Sequence, residues 1–221
     1  MVKVTIPSHM QNNMTIQEFE EIYEPFMCGS VDTMANCLKD GDVFVDIGAN
    51  TGLLSMRLTE KVKLGKLILV EPIKLYYEEC KRKFAGNDIV EFENIGFSDK
   101  NGVKKFLCSE INLGYNKIQH DGMEIHPHFI EEVNCIKFSD WVGDRKIDFI
   151  KIDAEGHDTN IIKGMVEWLD IVEKKPYILF EGEWYDDLEN ETANMLSERY
   201  SYNTSRIGRD IIMVPKPNKI I

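Results

Sequence analysis

Two stretches of the 221-residue sequence carry residue types and spacings able to do chemistry. The first is the turn Asp46-Ile47-Gly48-Ala49-Asn50-Thr51-Gly52. It joins the apolar run Val43–Ile47 to a segment with Leu53, Leu54, Met56 and Leu58 at helical spacing. Strand, glycine-rich turn and helix in that order make a nucleotide-binding βα unit: glycine lets the backbone pass close to a ligand, and the helix start offers N–H groups to it. The second stretch is Phe149–Gly164, FIKIDAEGHDTNIIKG. Alternation along its strand puts Phe149, Lys151 and Asp153 on one face and Ile150 and Ile152 on the other. A lysine inside a core strand needs a partner or a task. Asp153, Glu155, His157 and Asp158 then bring ionisable groups together on a strand-to-helix turn. Their structural roles would be helix capping for Asp153 and His157 and dipole compensation for Glu155 and Asp158.

The first turn reads D-x-G-x-N-x-G. A dinucleotide turn requires G-x-G-x-x-G, and here Asn50 stands in place of its second glycine. This pattern favours S-adenosylmethionine, which brings no pyrophosphate to the helix N-terminus but carries a cationic amino group and sulfonium that carboxylates such as Asp46 attract. Glu71 ends the next apolar strand about twenty residues beyond the glycines, where an acid accepts from ribose hydroxyls. Pro72 follows, Ile73 is placed to cover one face of adenine, and Asn94-Ile95-Gly96 ends a third strand level with the adenine edge. The expected cofactor contacts are therefore Asp46, Gly48, Asn50, Gly52, Glu71, Pro72, Ile73, Asn94, Ile95 and Asp153.

The elements that must position these groups follow from periodicity. Thr15–Leu38 reads as two short amphipathic helices separated by Gly29-Ser30, with Ser30 as an N-cap. Residues 1–39 form an arm and helices packing on a domain over 40–221. Strands are expected at Val43–Ile47, Lys66–Glu71, Ile89–Phe97, Val103–Cys108 (a hairpin with the preceding strand), Val133–Phe138, Ile147–Asp153 and Tyr177–Phe180. Helices are expected at Ile73–Phe84, with Leu75, Tyr76, Cys80 and Phe84 inward, and at Glu155–Leu169 and Asp187–Arg199. Tyr202–Ile207 and Ile211–Val214 close the chain as a hairpin, and 109–130 reads as a long loop. Strands alternating with helices give a largely parallel sheet covered on both faces, with ligand sites beyond the strand C-termini.

Composition limits the partners. With 43% hydrophobic residues the chain can build a core, and its net charge of −12 argues against a nucleic-acid partner. Five cysteines without CxxC or zinc spacing read as reduced thiols in a cytoplasmic protein. No run approaches a membrane span.

VDIGANTGLLS and FIKIDAEGHDTNIIKG together, with Val70-Glu71-Pro72 and Asn94–Gly102 between them, resemble the FkbM family of S-adenosylmethionine-dependent methyltransferases over roughly Asp40 to Glu183. The K-I-D-x-E-G-x-[DE] block is the family-specific part. The resemblance implies the class I methyltransferase fold: an α/β, Rossmann-like, mostly parallel seven-stranded sheet with helices on both faces and a C-terminal β-hairpin. It also implies methyl transfer to a hydroxyl of a sugar, glycan or glycosylated natural product. A sugar hydroxyl needs a base or a metal. His157 is the first base candidate, with Asp153 positioning the cofactor or acceptor, Glu155 holding His157 or the acceptor, and Lys151 a base only if burial depresses its pKa. Asp153 with Glu181 or Glu183 offers oxygen ligands for a divalent cation, magnesium or manganese. His126-Pro127-His128 reads as loop histidines, and Ser109–Tyr115 with Trp184 and Tyr185 as the acceptor side. The competing readings are an NAD-dependent oxidoreductase and a non-catalytic scaffold of the same fold.

Overall fold

The structure is a computed structural model and describes residues 15–109, 116–118, 128–182 and 186–217. Its centre is a seven-stranded sheet. In chain order the strands are β1 (Val43–Ile47), β2 (Lys66–Val70), β3 (Val90–Glu93), β8 (Phe149–Ile152), β9 (Tyr177–Glu181), β10 (Tyr202–Ile207) and β11 (Asp210–Pro215), arranged β10-β11-β9-β8-β1-β2-β3. All neighbours are parallel except β9–β11 and β11–β10, so the closing hairpin is the antiparallel edge.

Alternation divides each strand between two cores. Val45, Ile47, Ile68, Val70, Ile150 and Ile152 face α4 (Phe138–Trp141), α5 (Asp158–Ile171) and α6 (Asp186–Tyr200). Phe44, Leu67, Leu69, Phe149 and Leu179 face α1 (Ile16–Cys37), α2 (Leu53–Thr59) and α3 (Lys74–Lys83). Helices thus cover both faces, as expected of this fold class.

A second sheet departs from the sequence reading. Its strands β4 (Gly96–Phe97), β5 (Gly102–Ser109), β6 (Asn116–Ile118) and β7 (His128–Ile136) run in the order β4-β7-β5-β6. The expected single strand Ile89–Phe97 is therefore split: β3 stays in the main sheet, and β4 leaves it to pair with β7. β5 is antiparallel to β7 and β6, not to β3. Alternation identifies an extended segment but not its partner. The expected 109–130 loop contains β6 and the start of β7.

The N-terminal segment is one helix rather than two. Thr15 caps α1 in a capping box with Glu18, and the helix continues through Pro25, Gly29 and Ser30. Burial of Val31 and Met34 on the α2 side outweighs the roughly 1 kcal/mol penalty of a mid-helix glycine. Ser30 is consequently no N-cap; its hydroxyl donates to Asp210 at 2.6 Å, tying α1 to the closing hairpin. On α3, Tyr76, Cys80 and Phe84 are buried as expected, but Leu75 is 52% exposed. α5 starts at Asp158 and not Glu155, because Glu155 (φ +51°) and Gly156 (φ +89°) occupy the left-handed region. All five cysteines are free thiols. Among the described residues no helix is long and apolar enough to cross a membrane.

Candidate active site

The glycine turn leaves β1 and is fastened to the end of β2. The Gly48 and Ala49 N–H groups donate to the Val70 carbonyl at 2.9 and 3.2 Å. Gly48 (φ +75°) runs so close to the end of β8 that a Cβ there would lie 1.9 Å from the Asp153 carbonyl oxygen. Its glycine is therefore required by strand packing as well as by the turn. Asn50 takes φ +50°, a conformation asparagine tolerates because its amide bonds locally, and its Oδ1 accepts from the Thr51 N–H at 2.7 Å. Gly52 (φ +77°) caps α2 and faces Cys80 and Phe84.

Glu71 closes β2 with its carboxylate between two backbone donors. Asn50 N–H donates to Oε2 and Ile73 N–H to Oε1, both at 2.8 Å. Burial pushes its pKa up from 4.5 to about 7, against the pull of those two amides and of Lys151. Asn94 sits behind it, its amide donating to the Glu71 and Pro72 carbonyls at 2.9 and 3.0 Å.

Under the turn lies a buried charge group. Lys151 is 5% exposed and Asp46 is 0% exposed. The Lys151 ammonium is 3.0 Å from Asp46 Oδ1 and 3.5 Å from Asp153 Oδ2, and donates to the Gly48 carbonyl at 3.1 Å. Asp46 Oδ2 accepts from the Ser55 hydroxyl at 2.6 Å. Burial alone would lower the lysine pKa, but Asp46 and Asp153 outweigh it and hold the pKa above the usual lysine range. Lys151 is thus kept as ammonium, with no lone pair to accept a proton, which removes the depressed pKa that a base role requires.

His157 is the N-cap position of α5 and is 6% exposed. Asn160 Nδ2 lies 3.1 Å from its Nδ1, and Ser98 Oγ lies 2.9 Å from its Nε2. Ser98 in turn donates to Asp99 at 3.0 Å. The pattern is complete when Asn160 donates to Nδ1, Nε2–H donates to Ser98 and Ser98 donates to Asp99, the neutral Nε2–H tautomer. Asp158 beside it accepts from the Ala154 and Glu181 N–H groups at 3.4 and 3.3 Å. Burial and the nearby Asp153 raise its pKa from 3.8 to about 7.

Glu71 and Asp158 therefore keep their protons in the folded state over a range where the unfolded chain has lost them. The stability linked to them is fully present below about pH 4 and is lost as pH rises through about 7. Asp158→Asn should flatten the decline between about pH 5 and about pH 7.5, read as urea midpoints. An unaltered slope contradicts a proton held on Asp158.

One cavity of about 690 Å³, counting the part open to solvent, gathers most of the expected residues. Gly48, Asn50, Glu71, Pro72, Ile73 and Ile95 line it from one side, and Asp153, Glu155 and His157 from another. Asp46, Gly52, Asn94 and Lys151 are absent from the lining and support the turn from behind. Glu181 lies at the end of β9, 3.8 Å from Arg209. Among the described residues no three His, Cys, Asp or Glu side chains are grouped to hold a metal ion. Glu183, Trp184, Tyr185 and His126 lie outside the described residues, as does the loop 110–115. The cavity also takes in Tyr76, Phe97, Phe106, Asn116 and Ile118, which the sequence reading missed. Tyr76 alone left a signal, one helical turn beyond Ile73; the others come from the second sheet and the strand end leading to it.

Residues 46–202 match the Methyltransferase FkbM domain. The chain belongs to this family. The family expected from the two sequence blocks is thus the one found. The ribosomal protein L11 methyltransferase of Thermotoga maritima is 26% identical over 155 residues, 66% of this chain and 55% of that protein. Its Thermotoga petrophila counterpart is 25% identical over the same length. The chain thus spans about half the length of the curated relatives it matches. Among solved structures, a methyltransferase FkbM from Methylobacillus flagellatus superposes with a TM-score of 0.57 at 18% identity, over 80% of this chain and 44% of that one. An rRNA methylase from Streptococcus thermophilus gives 0.53 at 12% identity, over 85% and 95%. These two likenesses concern the fold.

Proposed function

We propose that the protein transfers the methyl group of S-adenosylmethionine to a hydroxyl of a sugar, glycan or glycosylated natural product. The observation that carries this reading is the shared cavity: the Glu71 wall and the Asp153–His157 turn face one space. When bound, the cofactor supplies an electrophilic methyl on a cationic sulfonium. The residues fit it. Glu71, fixed by two backbone donors, accepts from ribose hydroxyls, and Ile73 and Ile95 offer apolar surface to the base. Asp153 brings negative charge to the region of the amino group and sulfonium.

The acceptor oxygen must approach the methyl carbon opposite sulfur, so that the new O–C bond forms as C–S breaks and the bonding pair remains with sulfur. The hydroxyl proton then passes to a side chain of the cavity. Of the proposed set, Lys151 is held as ammonium, and the Nδ1 lone pair of His157 is engaged by Asn160. We assign the proton to Asp153, whose side chain is 46% exposed, with Glu155 positioning the acceptor and His157 holding the turn.

Labelled methyl transfer onto a panel of glycosides, with protein and RNA acceptors beside them, tests the acceptor class. Label entering only protein or RNA overturns the hydroxyl-sugar reading. Asp153→Asn should lower kcat by about 10²–10⁴ and also weaken cofactor binding, since it removes the charge facing the amino group and sulfonium. Turnover lost in His157→Ala but retained in Asp153→Asn returns the base to His157.

Cofactor binding should also depend on pH. Ribose hydroxyls donate more strongly to the ionised form of Glu71, whose pKa lies near 7 before binding. Affinity for S-adenosylhomocysteine should therefore rise from about pH 6 to about pH 8, by at most about tenfold per unit below the pKa. Glu71→Gln should abolish that dependence, and a dependence that survives the substitution belongs to another group.

A further inference from the structure

The carbonyls of the glycine turn are held mostly from outside it. Lys151 donates to the Gly48 carbonyl at 3.1 Å, and the Gly52 N–H donates to that of Ala49 at 2.8 Å. The Asn50 carbonyl accepts from the Cys80 thiol at 3.0 Å, and the Thr51 carbonyl from the Lys83 ammonium at 2.8 Å. Asn50 and Thr51 precede the N-cap Gly52, so their carbonyls stand outside the hydrogen-bond ladder of α2 and depend on donors from elsewhere. α3 supplies both. Tyr76, Cys80 and Lys83 follow one another at four and then three residues, a single stripe of that helix. Tyr76 lines the cavity, and Cys80 and Lys83 hold the turn behind it.

Lys83 ends α3, yet its side chain is only 7% exposed. Its ammonium pairs with Glu20 of α1 and lies 3.8 Å from Glu79. It thus meets a carboxylate of the N-terminal helix on one side and the Thr51 carbonyl on the other. Thr51 lies between two residues in the left-handed region, Asn50 (φ +50°) and Gly52 (φ +77°). Glycine on its C-terminal side offers little steric barrier to that peptide turning over, and the Lys83 bond opposes the movement. Asn50 is next in the chain, and its N–H fixes Glu71 Oε2 at 2.8 Å.

Resting on the cofactor reading above, we propose that Lys83 is a positioning residue for cofactor binding: it locks the Asn50-Thr51-Gly52 turn in the form that aims Glu71, and Glu20 of the N-terminal helix holds the lysine in place. Without the ammonium, only a fraction of molecules keep the turn in this form, and apparent cofactor affinity falls by that fraction. A bond from a charged donor makes the fall about tenfold.

Calorimetric titration with S-adenosylhomocysteine tests this on the wild type, Lys83→Met and Lys61→Met. Lys83→Met keeps an apolar stem and removes the donor. It should weaken binding by about tenfold at unchanged one-to-one stoichiometry, whereas a partly unfolded variant loses sites. Lys61 also ties α1 to the chain beyond α2, through Asp32 at 2.6 Å, and that tie joins no residue of the glycine turn. Lys61→Met should bind within about twofold of the wild type. Wild-type affinity in Lys83→Met overturns the assignment, as does an equal loss in Lys61→Met, which traces the effect to docking of α1. Circular dichroism checks folding. If Lys83→Met fails to fold, Glu20→Ala carries the test: a loss of about threefold supports the assignment, and wild-type affinity overturns it. Failure of the wild type to bind S-adenosylhomocysteine at all refutes the cofactor reading instead, so the two failures are distinct.

Discussion

Lys151→Met should destabilise the protein by about 3–5 kcal/mol, more than removal of any surface ion pair. The substitution keeps the apolar stem and deletes the charge that stands 3.0 Å from Asp46 and 3.5 Å from Asp153. Asp46 has no exposure to water, so its carboxylate would remain buried with only the Ser55 hydroxyl and neighbouring dipoles to stabilise it. Two consequences separate this cause from loss of packing. Lys151→Met combined with Asp46→Asn should recover a large part of the loss, since no buried charge is then stranded. Lys151→Arg should rescue poorly, because a planar guanidinium does not fit a space shaped for a compact ammonium donating to Gly48. Urea unfolding measures each variant. A loss below about 1 kcal/mol for Lys151→Met contradicts the account of this buried group.

Gly48→Ala should be comparably damaging, through backbone geometry. The new Cβ would fall 1.9 Å from the Asp153 carbonyl oxygen, with the next atom, the Asp153 carbonyl carbon, at 3.0 Å. The obstacle is main chain on β8, so relief requires the two strand ends to part. Left-handed strain adds about 1–2 kcal/mol and overpacking about 1–3, giving a total of roughly 2–5 kcal/mol. Gly86→Ala is the control: it has the same sign of φ (+78°) and nothing within 4 Å of its Cβ, so it should cost only the strain. Because the displaced atom belongs to Asp153, Gly48→Ala should also weaken cofactor binding where Gly86→Ala does not. Equal losses in the two variants would show that the close approach is not what Gly48 serves.

The same residues show what was legible in the sequence. The main sheet was readable because each strand is a short apolar run bounded by a turn or an acid, and because βα alternation leaves few topologies. Glu71, Gly48, Asn50 and Asp153 were readable as cavity-lining residues because ligand sites of such sheets lie at strand C-termini. The second sheet was not readable. β4 has two residues and β6 three, too short to show a period, and β5 and β7 alternate without naming each other as partners. Asn116 and Phe106 therefore carried no signal as cavity residues. The break at Gly29-Ser30 failed for an energetic reason, since local propensity is worth about 1 kcal/mol and burial of the Val31–Met34 stripe is worth more. Charge placement divided in the same way. Lys151 was identifiable as a residue in need of a partner, but whether its pKa rises or falls depends on Asp46 lying opposite it across β1 and β8. That pairing is a tertiary fact.

The second sheet also changes how the site is understood. Four strand ends of the parallel sheet contribute to the cavity, and a separate antiparallel layer forms part of its wall. α1 is tied to the closing hairpin through Ser30 and Asp210, and Asp210 is held above the usual carboxylate range by burial. The residues that line the cavity fall between Ile47 and Ile161.

The most direct test of the central claim, that the cavity between Glu71 and Asp153 holds S-adenosylmethionine, is calorimetric titration of the folded protein with S-adenosylhomocysteine. Wild-type protein and Glu71→Ala should be compared under identical buffer and salt. The account predicts saturable one-to-one binding to the wild type, weakened in Glu71→Ala by about 1.5–3 kcal/mol, or roughly 10- to 150-fold. No binding to the wild type, or equal affinity in the two proteins, contradicts it.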